Sequence, residues 1–301
     1  MDIAQANDAF AIPGVLAICA GEGGFPLITI DNAFARASIC AHGGQVLSYC
    51  PVNTNDDLLF VSRQAQFQPG KAIKGGIPVC WPWFGPDPEQ RGRPAHGFVR
   101  TRDWQLLLTE TRVDGSTRVQ LGTRDDDKTR SDWPHAFSLE IEITIGETLD
   151  VALITHNTGE AAFSVTQAQH TYFNVGDLRQ VQVLGLAGHD YLDKLADGAR
   201  VTQSGPINID GPLDRIYLQT LDRLIIDDPS LGRAIHIERE GSRSAVVWSP
   251  WIEQARAMGD FGDDEYLRTL CVETTNAAED RVTIAPGDQY RLASSYRIHS
   301  Q

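Results

Sequence analysis

The sequence contains no run of eighteen or more apolar residues, the length a membrane-spanning helix requires, so a helical membrane protein is excluded. Residues 1–20 lack the basic start and sustained apolar block of an export signal, and a cytoplasmic protein is expected. Cysteine is scarce: Cys19, Cys40, Cys50, Cys80 and Cys271 are odd in number, widely spaced and never arranged as CxxC. Neither a disulfide framework nor a thiolate zinc site fits that pattern, which leaves free, mostly buried thiols. His96 and His170 stand in no HxH or HExxH spacing, so no metal is expected. Basic residues are outnumbered, 26 against 40 acidic ones, and the formal charge of -14 repels nucleic acid and anionic membranes, which are therefore not expected as partners. There is no internal repeat, low-complexity tract or Pro/Ser-rich linker; the 27 Gly and 15 Pro are spread along the chain, and a single domain over residues 1–301 is expected.

What is present is a period of two. Phe137, Leu139, Ile141, Ile143 and Ile145 alternate with Ser138, Glu140, Glu142 and Thr144, the pattern of a half-buried strand. Shorter runs of the same kind recur at residues 27–30, 119–121, 149–155, 181–184, 235–238, 245–248, 282–284 and 290–298. Helical signals are confined to residues 222–226 and 263–270, where a turn or two is expected. Many short strands separated by Gly, Pro and Asn turns predict an all-β protein, a large antiparallel β-sandwich with few short helices.

Three segments break the pattern in ways that suit chemistry. Residues 71–102 carry Lys71, Lys74, Arg91, Arg93, Arg100 and Arg102 against Asp87 and Glu89, a local excess of four positive charges in an acidic chain. Such an island suits phosphate oxygens, with Gly75 and Gly76 allowing a close backbone approach to a ligand; it is equally compatible with a solvated basic loop. In TQAQHTYFN, residues 166–174, a continuous strand would place His170 on one face with Ala162, Ser164, Thr166, Ala168 and Tyr172. The small side chains suit a cleft floor, although a strand histidine is more often structural. In LCVETTN, residues 270–276, Glu273 follows an apolar stretch, either at the mouth of a site or as an ordinary strand-end glutamate. Trp248 and Trp251 of WSPW fit sugar stacking or a core corner, and Asp214 fits a substrate hydroxyl or an ion pair with Arg215.

Together the pieces IKGGIPVCWPWFG, HGFVR, QHTYF, LDRIY, VVWSPW and LCVETTNA, in that order, resemble the glucose-6-phosphate 1-epimerase branch of the aldose 1-epimerase (galactose mutarotase-like) superfamily. The resemblance implies the galactose mutarotase-like supersandwich and an isomerase that interconverts the α and β anomers of a hexose 6-phosphate. It implies His170 as general acid, Glu273 as general base, and Lys74, His96, Arg100 and Asp214 as substrate-binding residues. Relatives often carry arginine where Lys74 stands and glutamine where Ala95 stands. In that scheme Glu273 takes the O1 proton while a protonated His170 gives one to the ring oxygen. The basic island holds the 6-phosphate, and Trp83, Tyr172, Trp248 and Trp251 are candidates to stack on the sugar. No cofactor is demanded, and a monomer or weak homo-oligomer is expected. The alternatives are a mutarotase of unphosphorylated aldoses and a non-catalytic sugar-phosphate-binding or sensing protein. A glycoside hydrolase fits less well, because that chemistry needs two carboxylates and only Glu273 has a clear motif setting.

Overall fold

The computed structural model describes residues 1–54, 56–221 and 223–301. Among the described residues the strands form four antiparallel sheets. The larger two make the sandwich. One runs, in spatial order, Ile207–Asn208, Gln182–Leu184, Leu224–Asp228, Arg233–Glu240, Gln289–Ser300, Leu149–Asn157, Phe137–Ile145, Thr117–Arg124 and Gln105–Thr111. The other runs Ala199–Thr202, Asp190–Asp193, Leu213–Leu218, Ser244–Ser249, Thr269–Asn276, Gln167–Gln169 and Val79–Cys80, with Tyr172–Asn174 continuing the pairing along Thr269–Asn276. A four-stranded N-terminal meander, Leu16–Ala20 to Gln45–Pro51, and a small ribbon of Phe163–Val165 with Val282–Ile284 complete the set.

Alternation explains the core. In Phe137–Ile145 all five apolar side chains are fully buried while the polar ones between them are partly exposed. At roughly 1.5–3 kcal/mol per buried side chain, this one strand contributes on the order of 10 kcal/mol of gross hydrophobic stabilisation. From the facing sheet Leu270, Val272, Ala245, Val247, Leu213 and Tyr217 enter the same apolar cluster. Consequently the intervening residues of those strands, Cys271, Glu273, Val246, Trp248, Asp214 and Ile216, lie on the opposite face. That outer face carries the site.

The helical expectation at residues 222–226 is corrected. Leu224–Asp228 is a strand in which Leu224, Ile226 and Asp228 are buried and Ile225 and Asp227 are not, a period of two that the adjacent pair of isoleucines obscured. Asp222 lies outside the described residues. Within 263–270 a single 3₁₀ turn, Glu265–Arg268, does form. The α-helices, Ile3–Phe10, Asp127–Asp132 and Trp251–Ala257, lie elsewhere. The first is capped by the Asp2 carboxylate, which accepts the Gln5 N–H at 2.9 Å. Among the described residues no helix is long and apolar enough to cross a membrane.

Candidate active site

The pairing register brings the site together. Gln167 pairs with Asn276, Ala168 with Thr275 and Gln169 with Thr274; beyond a short break Tyr172 pairs with Cys271 and Phe173 with Leu270. The two stretches share one register, which sets His170 directly opposite Glu273. Opposed antiparallel residues hold their Cβ atoms about 4.5–5.5 Å apart, close enough for their side chains to meet. His170 Nε2 lies 3.5 Å from Glu273 Oε1. The break at His170 and Thr171 is held by the His170 N–H donating to the Pro78 carbonyl at 3.0 Å. One row along the sheet, Asp214, Trp248, Cys271 and Tyr172 stand side by side across four strands.

The back of the His170 segment is fastened to the other sheet. Gln169 donates to the Val151 and Leu292 carbonyls at 3.0 and 3.1 Å and accepts from the Ser294 hydroxyl. Thr171 shares a 2.7 Å hydrogen bond with the Tyr296 hydroxyl. The front is aromatic: the Tyr172 ring stacks on His170 at 4.8 Å, with Trp248 edge-on at 6.1 Å and His96 at 5.6 Å.

Burial dominates the electrostatics. Desolvation pushes Glu273 well above the usual carboxylate range, Asp214 adds to the rise, and Arg100 opposes it. Desolvation also drives His170 well below the ordinary histidine value, reinforced by His96, Arg100 and Lys74. Burial thus works against the charged form of both groups in the unliganded protein. The expected roles of His170 as imidazolium and Glu273 as carboxylate therefore require their charges to be supported against desolvation. Burial likewise lowers His96 to about 3. Its Nδ1 accepts the Gly85 N–H at 3.4 Å, so the neutral ring carries its proton on Nε2 and can donate from there. Among the described residues His170 Nδ1 and Glu273 Oε2 are buried without a hydrogen-bond partner, leaving polar capacity at the centre of the site.

Beside the pair, Lys71, Lys74, Arg100, Gln66, Asp260 and the Tyr172 ring line a cleft of about 350 Å³, within the ~300–1,000 Å³ usual for small-molecule sites. A second cleft, on the outer face of the nine-stranded sheet, is lined by acids and arginines that pair with one another, such as Arg291 with Glu240 at 2.8 Å. Those charges are already satisfied.

The aldose 1-epimerase family profile matches residues 26–297. The chain belongs to that family. It is an isomerase of carbohydrate metabolism, built on the mutarotase sandwich. The chain is 37% identical over 273 residues to an Escherichia coli K12 protein named "Putative glucose-6-phosphate 1-epimerase", covering 90% of each. It is 38% identical over 266 residues to a Cenchrus ciliaris protein of the same name, covering 85% of this chain and 79% of that one. Among solved structures, a "putative mutarotase" from Salmonella typhimurium superposes with a TM-score of 0.90 at 31% identity, covering 97% of this chain and 96% of that one.

Within this epimerase the basic island divides. Arg91 pairs with Glu89, and Arg102 reaches Asp126 at 2.6 Å. Arg93 pairs with Asp87 and lies 4.4 Å over the Trp83 ring. Only Lys71, Lys74 and Arg100 of the six line the cleft. Trp83 is buried with its indole N–H on the Pro94 carbonyl at 3.0 Å, and Trp251 packs on Tyr266. Neither reaches His170, whereas Tyr172 and Trp248 do. Gly75 and Gly76 answer a need inside the protein rather than at a ligand. Their φ angles are 125° and 61°, and a Cβ on Gly76 would sit 2.1 Å from the Val46 carbonyl oxygen. The face expected for His170 keeps Ala168 and Tyr172 but loses Ser164, which belongs to the separate ribbon. The sequence reading passed over Asp260, which meets Lys74 at 3.6 Å; its acidic surroundings, DFGDDE, resemble any solvated loop.

Proposed function

We propose that this epimerase interconverts the anomers of a hexose 6-phosphate, glucose 6-phosphate first among them, with His170 and Glu273 as the proton-transfer pair. The observation that carries the reading is the opposed His170–Glu273 pair beside a cleft lined by Lys71, Lys74 and Arg100. Ring opening needs a proton taken from the O1 hydroxyl and a proton given to O5, while the C1–O5 bond breaks and C1=O1 forms. Rotation about C1–C2 and closure by the reverse transfers give the other anomer. Glu273 as carboxylate takes the first proton and His170 as imidazolium supplies the second. His96 and Asp214 hold ring hydroxyls, and Tyr172 and Trp248 cover an apolar sugar face.

The phosphate has an electrostatic part in this scheme. After burial, Arg100 and Lys74 are among the groups that lower the proton affinity of His170. A phosphate dianion between them offsets that field and so raises the proton affinity of His170, and with it that of Glu273, which Arg100 otherwise lowers. Four buried, unpaired cysteines favour a reducing compartment, which supports a cytoplasmic location.

The test is a polarimetric or coupled anomerase assay. Replacing either residue, in His170→Asn or Glu273→Gln, should lower kcat for glucose 6-phosphate by about 10² to 10⁴, with circular dichroism unchanged. Rates near wild type in either variant sink the assignment. Equal activity on glucose and glucose 6-phosphate in the wild type would leave the pair in place and remove the phosphate from the reading.

A further inference from the structure

Asp260 places a carboxylate inside the cleft whose cations are proposed to hold phosphate. It stands 3.6 Å from Lys74 Nζ, beyond hydrogen-bonding range, with both side chains partly exposed, so the contact is ionic and loose. Its backbone is anchored. The next residue, Phe261, is fully buried against Phe60, and the Gly262 N–H donates to the buried Glu265 carboxylate at 2.7 Å. The carboxylate can therefore leave Lys74 by side-chain rotation while the loop stays fixed.

We propose that Asp260 is a specificity-setting residue of the anion cleft, a built-in counterion that competes with the substrate's phosphate for Lys74. The inference rests on reading the cleft as the phosphate subsite. With Lys71, Lys74 and Arg100 opposed by Asp260, the lining carries a net two positive charges, the complement of a phosphate dianion. Without Asp260 it carries three, and the cleft binds anions more tightly and with less regard to their charge. Asp260 thus trades affinity for discrimination and for release of product, which matters in an enzyme whose substrate and product carry the same phosphate.

The experiment is calorimetric titration of inorganic phosphate into the full-length wild type, Asp260→Asn, Lys74→Met and the double variant, a cycle that isolates the pair. Asp260→Asn should tighten phosphate binding about threefold to tenfold, and the same change on the Lys74→Met background should have less than about twofold effect. Asp260→Ser should repeat the result should the asparagine variant fold poorly. Unchanged or weaker binding in Asp260→Asn overturns the proposal, as does an equal gain without Lys74, which would make Asp260 a diffuse charge rather than a competitor. Since the readout needs no turnover, a protein that shows the gain yet fails to anomerise glucose 6-phosphate loses the substrate reading and keeps this one.

Discussion

Burial works against the charged forms of Glu273 and His170, and folding stability must register this. The folded-state pKa of Glu273 lies well above its unfolded value near 4.5. The sign follows from linkage: relative to the unfolded chain, its stability contribution is complete below about pH 4.5 and is lost as pH rises toward the folded-state value. Glutamine does not titrate, so Glu273→Gln should raise Tm at pH 8 by about 2–6 °C and change it little at pH 4. A gain independent of pH, in a series of calorimetric melts, would mean the carboxyl is ionised in the folded protein. Arg100 belongs to the same scale. Losing its charged hydrogen bonds should raise KM for glucose 6-phosphate in Arg100→Ala about tenfold to a hundredfold, with a much smaller change for free glucose. Comparable losses on both sugars would move the anion site elsewhere. His170, Glu273, Lys74 and Arg100 could be read from the motifs, yet their relative placement could not. The break at His170–Thr171 hides a shared register, and a window of sequence cannot distinguish cations facing a cleft from Arg91, Arg93 and Arg102, each spent on a nearby acid.

Elements were legible where one face meets the core and the other meets water. Phe137–Ile145 and Val282–Ile284 have the bounds their alternation predicted. The strand Thr269–Asn276, buried on both faces, shows no alternation at all, which is why Glu273 looked like a strand end rather than the middle of a central strand. Trp251–Ala257 escaped notice because Pro250 and an aromatic start conceal a short helix. The connection carrying Lys74 depends on two glycines, Gly75 passing close to the Phe60 and Val61 backbone and Gly76 close to that of Val46. Gly76→Ala, which combines a left-handed φ with a backbone clash, should cost about 2–5 kcal/mol of stability in denaturant unfolding. A loss below about 1 kcal/mol would show that this connection yields easily.

At the scale of the molecule, one apolar cluster takes in Ile18 and Ile28 of the N-terminal meander, Val119 and Ile141 of the nine-stranded sheet and Val247 and Val272 of the eight-stranded one. A shared core should melt as a unit, so calorimetric and van't Hoff enthalpies should agree; two resolved transitions would separate the meander from the sandwich. The net charge was read correctly as a property of the whole and says nothing of the cleft, where cations outnumber the acid. Finally, the polar rivets of Gln169 and Thr171 to the far sheet have a bearing on how such a protein could be redirected. They clamp the His170 segment to the nine-stranded sheet, whereas Lys71, Lys74 and Asp260 sit on loops. The charge of the cleft can then drift by loop replacement while the strands stay put, and an engineer seeking to change its anion preference should recast residues 66–74 and 258–264 and leave the strands alone.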